Sequence, residues 1–148
     1  MPQSRKRKPR TQATNRGGRQ KALFLPMPRD AADKMMLRVR LALELVRAGQ
    51  ADLSLANCVA QALVLTGFIT EAGHGLLDTA FIGSATKSLG VVLTTGTETG
   101  VWQFPPQLVD DLTIIVNEHD RQLREIRLDV IADASDRLEL LFKQNETE

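Results

Sequence analysis

Apolar residues recur along this chain with a period near 3.6 over most of its length, the spacing that puts side chains on one face of an α-helix. From Asp30 to Gly49, Ala32, Met35, Met36, Val39, Leu43 and Val46 share one face at 100° per residue. Leu37, Leu41 and Leu45 form a second stripe, spaced by four, between charged flanks. The pattern predicts a first helix capped by Asp30, with Asp33 in its first turn and Gly49 as its stop. Two stripes on one helix imply contacts on both sides, one with the rest of a bundle and one with a second subunit. Ahead of this helix, Leu23–Pro28 is a short apolar strap kept extended by Pro26 and Pro28.

A second helix is expected to open at Ser54, and Leu55–Ala72 is apolar nearly all round, which places it centrally. Gly73 and Gly75, around His74, end it in a turn. Asp78 caps a third helix from Thr79 to about Thr95, rich in small residues such as Ala80, Gly83, Ala85 and Gly90. The β-branched run Val91–Thr95 weakens it. Thr94–Gly100 reads as a loop, and Val101–Phe104 as a very short strand or plug anchored by Trp102.

Pro105-Pro106 then launches a last helix running to about Lys143. Its apolar stripe comprises Leu108, Leu112, Ile115, Val116, His119, Leu123, Ile126, Val130, Ala134 and Leu141. Asp120 with Arg124, Arg121 with Glu125, and Asp133 with Arg137 line the outside. Such a helix would reach about 58 Å at 1.5 Å per residue, longer than a domain of this size is wide. Either it breaks near Asp133–Asp136 and folds back, or a second chain covers it. The second alternative is the favoured one, with Leu37, Leu41, Leu45, His119, Leu123, Ile126 and Val130 as the interface of a homodimer. The expected fold is all-α: a four-helix bundle with a long C-terminal helix, occupying residues 23–148.

Charge changes this picture. The chain has 148 residues and a net charge of +1, but Arg5, Lys6, Arg7, Lys8, Arg10, Arg16, Arg19 and Lys21 stand in an N-terminal segment without a single acid. That leaves 11 basic against 18 acidic residues after Lys21, a net of −7. Residues 1–22, with their Pro and Gly, lack the apolar content to offset ordering entropy and are expected to be a disordered basic tail. Its cation density suits the phosphate backbone of DNA or RNA, with counterion release and without base discrimination. A tail that merely aids solubility is the bland alternative. An anionic membrane surface is disfavoured, because neither an acylation motif nor a basic amphipathic helix is present.

No long apolar run follows the basic segment as a secretory signal requires, and Leu53–Ala72 carries Asn57, Gln61 and Glu71 without flanking cations. With one free cysteine, the cytoplasm is the expected compartment.

Candidate chemistry is sparse. Glu71 and His74 have the i, i+3 spacing of di-iron bundles, but a second such pair is missing. His119 falls mid-stripe, where it is either a hydrogen-bonded core histidine or a pH-sensitive or metal-bridged subunit contact. Cys58, in the most apolar helix, reads as an inert small hydrophobe. Thr94–Gly100 lacks the lysine and preceding strand of a phosphate loop. No nucleophilic triad assembles from these residues, so no catalytic residue, cofactor or metal is expected. Helices two and three outline a helix-turn-helix around Gly73–Gly75, but Thr79–Gly83 offers no base-reading side chains.

The segments Thr66–Gly75 and Asn117–Arg124 resemble those of small helical proteins from proteobacterial accessory genomes, some of them labelled Fis-like transcriptional regulators. The resemblance covers most of Pro28–Leu141 and implies a small helical dimer in a regulatory setting. It departs at the C-terminus, where a Fis-type protein has a basic helix-turn-helix and this chain ends in Asn145-Glu146-Thr147-Glu148. No DNA-reading residue carries over. Two functions stand open: a dimeric accessory or regulatory protein whose tail binds nucleic acid, and an adaptor or inhibitor whose acidic body binds a protein.

Overall fold

The computed structural model describes residues 20–146. Five α-helices follow in order: α1 Arg29–Arg47, α2 Leu53–Ile69, α3 Thr79–Thr99, α4 Pro106–Glu125 and α5 Leu128–Glu146, with a π-helical turn, Thr70–His74, continuing α2. No strand occurs among the described residues. The fold is all-α.

Helix α2 packs against α1, α3, α4 and α5, as expected of a segment apolar on every face. With its π turn it is long and apolar enough to cross a membrane, and here it forms the axis around which the other helices gather. Val59, Leu63 and Ile69 from α2 meet Leu112, Ile115, Val116 and Leu123 from α4, all at most 1% exposed. Helices α1 and α4 run antiparallel, as their polar seam records. Asp33 pairs with Arg124, Arg40 with Asp120 and Asn117, and Arg47 with Thr113.

The helix ends follow local chemistry, though not always at the expected residue. Asp52, rather than Ser54, caps α2, its Oδ1 accepting the Leu55 N–H at 2.8 Å. Asp30 lies inside the first turn of α1, which starts after Pro28 with no side-chain cap. Asp78 caps α3 as expected, accepting from Ala80 N–H.

The Thr94–Gly100 stretch is not a loop: α3 continues to Thr99 and stops at Gly100 in the left-handed conformation, φ 75°. Thr99 returns its hydroxyl to the Thr95 carbonyl, so its side chain does not compete with the helix. Gly96 sits in that last stretch because the Trp102 indole lies on it, where a Cβ would overlap the ring. Val101–Phe104 forms no strand, and Trp102 and Phe104 pack against the core.

The largest departure is the C-terminal helix. It is not one rod to Lys143. It breaks at Ile126, which adopts extended backbone (φ −87°, ψ 142°), and resumes as α5 from Leu128. The break comes earlier than Asp133–Asp136, and α5 folds back onto α2. Asp133 does not hold Arg137; that guanidinium reaches Glu71 at 2.9 Å and lies over the Phe68 ring.

Candidate functional site

The basic segment joins the helical body at the corner where α4 turns into α5. Of the cations expected to bind nucleic acid, Arg5, Lys6, Arg7, Lys8, Arg10, Arg16 and Arg19 lie outside the described residues. Lys21 is exposed and belongs to a short helical turn over residues 20–23. The strap behind it is tied down at three points. The Leu25 carbonyl accepts the Leu128 N–H at 2.8 Å, Arg127 lies over the Phe24 ring at 4.9 Å, and Met27 packs on the core. Leu23, Phe24 and Leu25 remain 40–60% exposed. Cations and an exposed aromatic thus share one corner, a combination that suits phosphate and base stacking. The fixed arginines here are already engaged: Arg124 with Asp33 and Asp120, Arg127 with Asp129.

A polar cluster ties α4 to the end of α2. Glu118, buried, accepts the Leu76 N–H at 2.6 Å and a hydrogen bond from Arg121. Burial pushes its carboxyl pKa up, but the Arg121 guanidinium and the Leu76 N–H outweigh this and hold it below the ordinary value. Arg121 also donates to the His74 carbonyl, and Gln122 Nε2 to Thr70 Oγ1 at 3.3 Å. The segments 66–75 and 117–124 therefore pack against each other as one internal clamp. Nothing in the sequence pattern flagged Glu118. Its signal is only that it stands one turn after the buried Ile115 on the flank facing the π turn.

Glu71 and His74 do not converge: Glu71 is bound to Arg137 and His74 is exposed. No group of three metal-ligating His, Cys, Asp or Glu side chains occurs among the described residues.

The expected interface residues separate into two sets. Leu37, Leu41 and Leu45 are exposed at 62%, 55% and 39%, one apolar strip along the outer face of α1. His119 and Leu123 are buried within the protomer, at 2% and 0% exposure, and Ile126 and Val130 are half-buried. Their place in an interface rested on an unbroken helix. The break at Ile126 supplies a cover for them from the same chain. Burial lowers the His119 pKa to about 4, against a weak opposing pull from Asp120, so the imidazole is neutral at pH 7.

No family model, no curated protein and no solved structure matches this chain.

Proposed function

We propose that this is a small, non-enzymatic accessory or regulatory protein of the cytoplasm that binds the phosphate backbone of DNA or RNA through its basic N-terminal segment. The charge division carries this reading: eight cations and no acid up to Lys21, against a net of −7 on the remainder. A like-signed segment of this density neutralises phosphates, whereas the acidic body repels them. The strap that follows the segment supports it, being tied to the body at Phe24 and Leu25. Regulation of transcription, in a Fis-like setting, is the role this chemistry would serve, through occupancy rather than base readout.

Fluorescence anisotropy with a labelled duplex and a labelled single-stranded RNA tests it. Binding should weaken with salt at a log–log slope approaching about −7 for the duplex and about −6 for the single strand, from about −0.9 and −0.7 per phosphate contact for eight cations. Deleting Met1–Lys21 should abolish it. Absence of binding by the full chain at low salt refutes the proposal.

The Leu37–Leu41–Leu45 strip favours a second reading, in which the acidic body is a protein–protein adaptor or inhibitor and the basic segment is secondary. An exposed apolar strip of this kind marks protein contact surfaces. On that reading, the chain lacking Met1–Lys21 still captures its partner.

A further inference from the structure

Aromatic side chains are scarce in this protein: five phenylalanines, one tryptophan and no tyrosine. Phe68, Phe81, Trp102 and Phe104 are partly buried and packed against the core. Phe24 is 59% exposed, and it is the only aromatic residue among the described ones with most of its surface in solvent.

Its place is fixed, and it lies at the end of the basic segment. The Phe24 N–H donates to the Lys21 carbonyl at 3.2 Å, so the aromatic residue stands one turn from the last cation. The Leu25 N–H donates to the Ala22 carbonyl, and the Leu25 carbonyl accepts the Leu128 N–H, which closes this turn onto the start of α5. The Arg127 guanidinium lies over the ring, 4.9 Å from its centroid. Arg127 is in turn held by both carboxylate oxygens of Asp129. That pair is neutral as a whole, so Arg127 backs the ring and leaves phosphate to the cations of the segment.

A rigid, exposed ring beside a phosphate-binding segment offers what cations lack, a surface for the face of a base. Bases in a duplex are stacked on one another and present only their edges in the grooves. Unpaired bases present their faces, and aromatic side chains bind them there.

We propose that Phe24, backed by Arg127, is a stacking platform for an unpaired base, so that the ligand of the basic segment is single-stranded nucleic acid. DNA and RNA share the chemistry this requires, a phosphate chain with free base faces. The inference rests on the phosphate-binding reading of the segment and adds the state of the strand to it. Stacking tolerates every base, so it selects strands without selecting sequences.

Fluorescence anisotropy of the full-length protein at one salt concentration tests this with labelled oligomers of about 15 nucleotides. Oligo(dT), oligo(rU), an abasic deoxyribose-phosphate strand and a DNA duplex are compared. Both base-bearing strands should bind about five- to a hundredfold tighter than the abasic strand, the range expected from one base–aromatic stack. Phe24→Leu, which keeps an apolar side chain at this exposed position, should lose that advantage. Its affinity for the abasic strand and for the duplex should stay within about twofold of wild type. Phe24→Trp should retain the advantage, because indole also stacks. The Phe24 ring protons should move upfield on addition of oligo(dT) and not of the abasic strand, the ring-current signature of a base over the ring. Equal affinity of the wild type for base-bearing and abasic strands overturns the proposal and leaves the phosphate reading standing. An equal loss by Phe24→Leu on all four oligomers, as a merely structural ring would give, also overturns it. Absence of binding to any of the four overturns the phosphate reading and this inference with it.

Discussion

Acidification should destabilise this protein through one residue before its carboxylates matter. His119 titrates near 4 in the folded chain because burial penalises the imidazolium, and near 6.5 when unfolded. Between those values the unfolded chain binds one proton more than the folded one. Stability attributable to His119 is therefore complete above about pH 6.5 and declines as pH falls towards about 4. Below that both states are protonated and the loss ends. At about 1.36 kcal/mol per pH unit the full loss is about 3 kcal/mol, of which about 2 kcal/mol falls between pH 7 and 5. Against a typical stability of about 5–15 kcal/mol, that is a large share. Glu118 and Asp120 are held below ordinary carboxylate values by their arginines, so their contributions are lost only at lower pH.

Urea unfolding followed through Trp102, the single tryptophan, measures this in wild type and His119→Leu at about pH 7, 6 and 5. The wild type should lose about 2 kcal/mol over that range while the leucine variant changes far less. The variant should also be more stable at pH 7 by about 1–3 kcal/mol, because an enclosed unpartnered nitrogen is gone. Parallel pH profiles for the two proteins would refute the reasoning, and a less stable variant would mean that the imidazole has a partner.

Glu118→Ala should cost about 1–3 kcal/mol, since it strands the Leu76 N–H and leaves the half-buried Arg121 with only the exposed Glu125 as a carboxylate partner; denaturant midpoints measure it. Gly83→Ala, on an open face of α3, should stabilise by about 0.5–1 kcal/mol, whereas Gly96→Ala should destabilise by about 1–3 kcal/mol by overpacking Trp102. Equal thermal shifts for the two glycine variants would contradict the packing described. Leu41→Glu should leave folding stability within about 0.5 kcal/mol, because its side chain is 55% exposed. If the α1 strip joins two copies, light scattering should show the mass halved in this variant and not in wild type.

Much of the fold was legible in the sequence, and the failures share a cause. The apolar face of α1, the uniformly apolar α2, the Asp78 cap and the Pro105-Pro106 start are local signals, and each marks its element in the structure. The Thr94–Gly100 stretch misled because threonine and glycine are poor helix formers. Their use here depends on hydroxyls bonded back to the helix and an indole resting on Gly96. The cavity between α1, α2, α4 and α5 was not legible at all. Arg38, Cys58, His119 and Leu138 come from four helices, and no spacing rule joins them.

What the sequence determined by itself was helical content, the central position of α2 and the separation of charge at Lys21. These follow from periodicity and composition, which need no partner residue. The direction of the chain after α4 was decided only in three dimensions. Gln122–Asp129 contains no proline or glycine, and local propensity would carry the helix through it. The turn is fixed instead by the Leu128 N–H reaching the Leu25 carbonyl, and by Arg127 lying over Phe24. Both partners lie about a hundred residues upstream, so the contacts that pin the break are out of reach of any local sequence pattern.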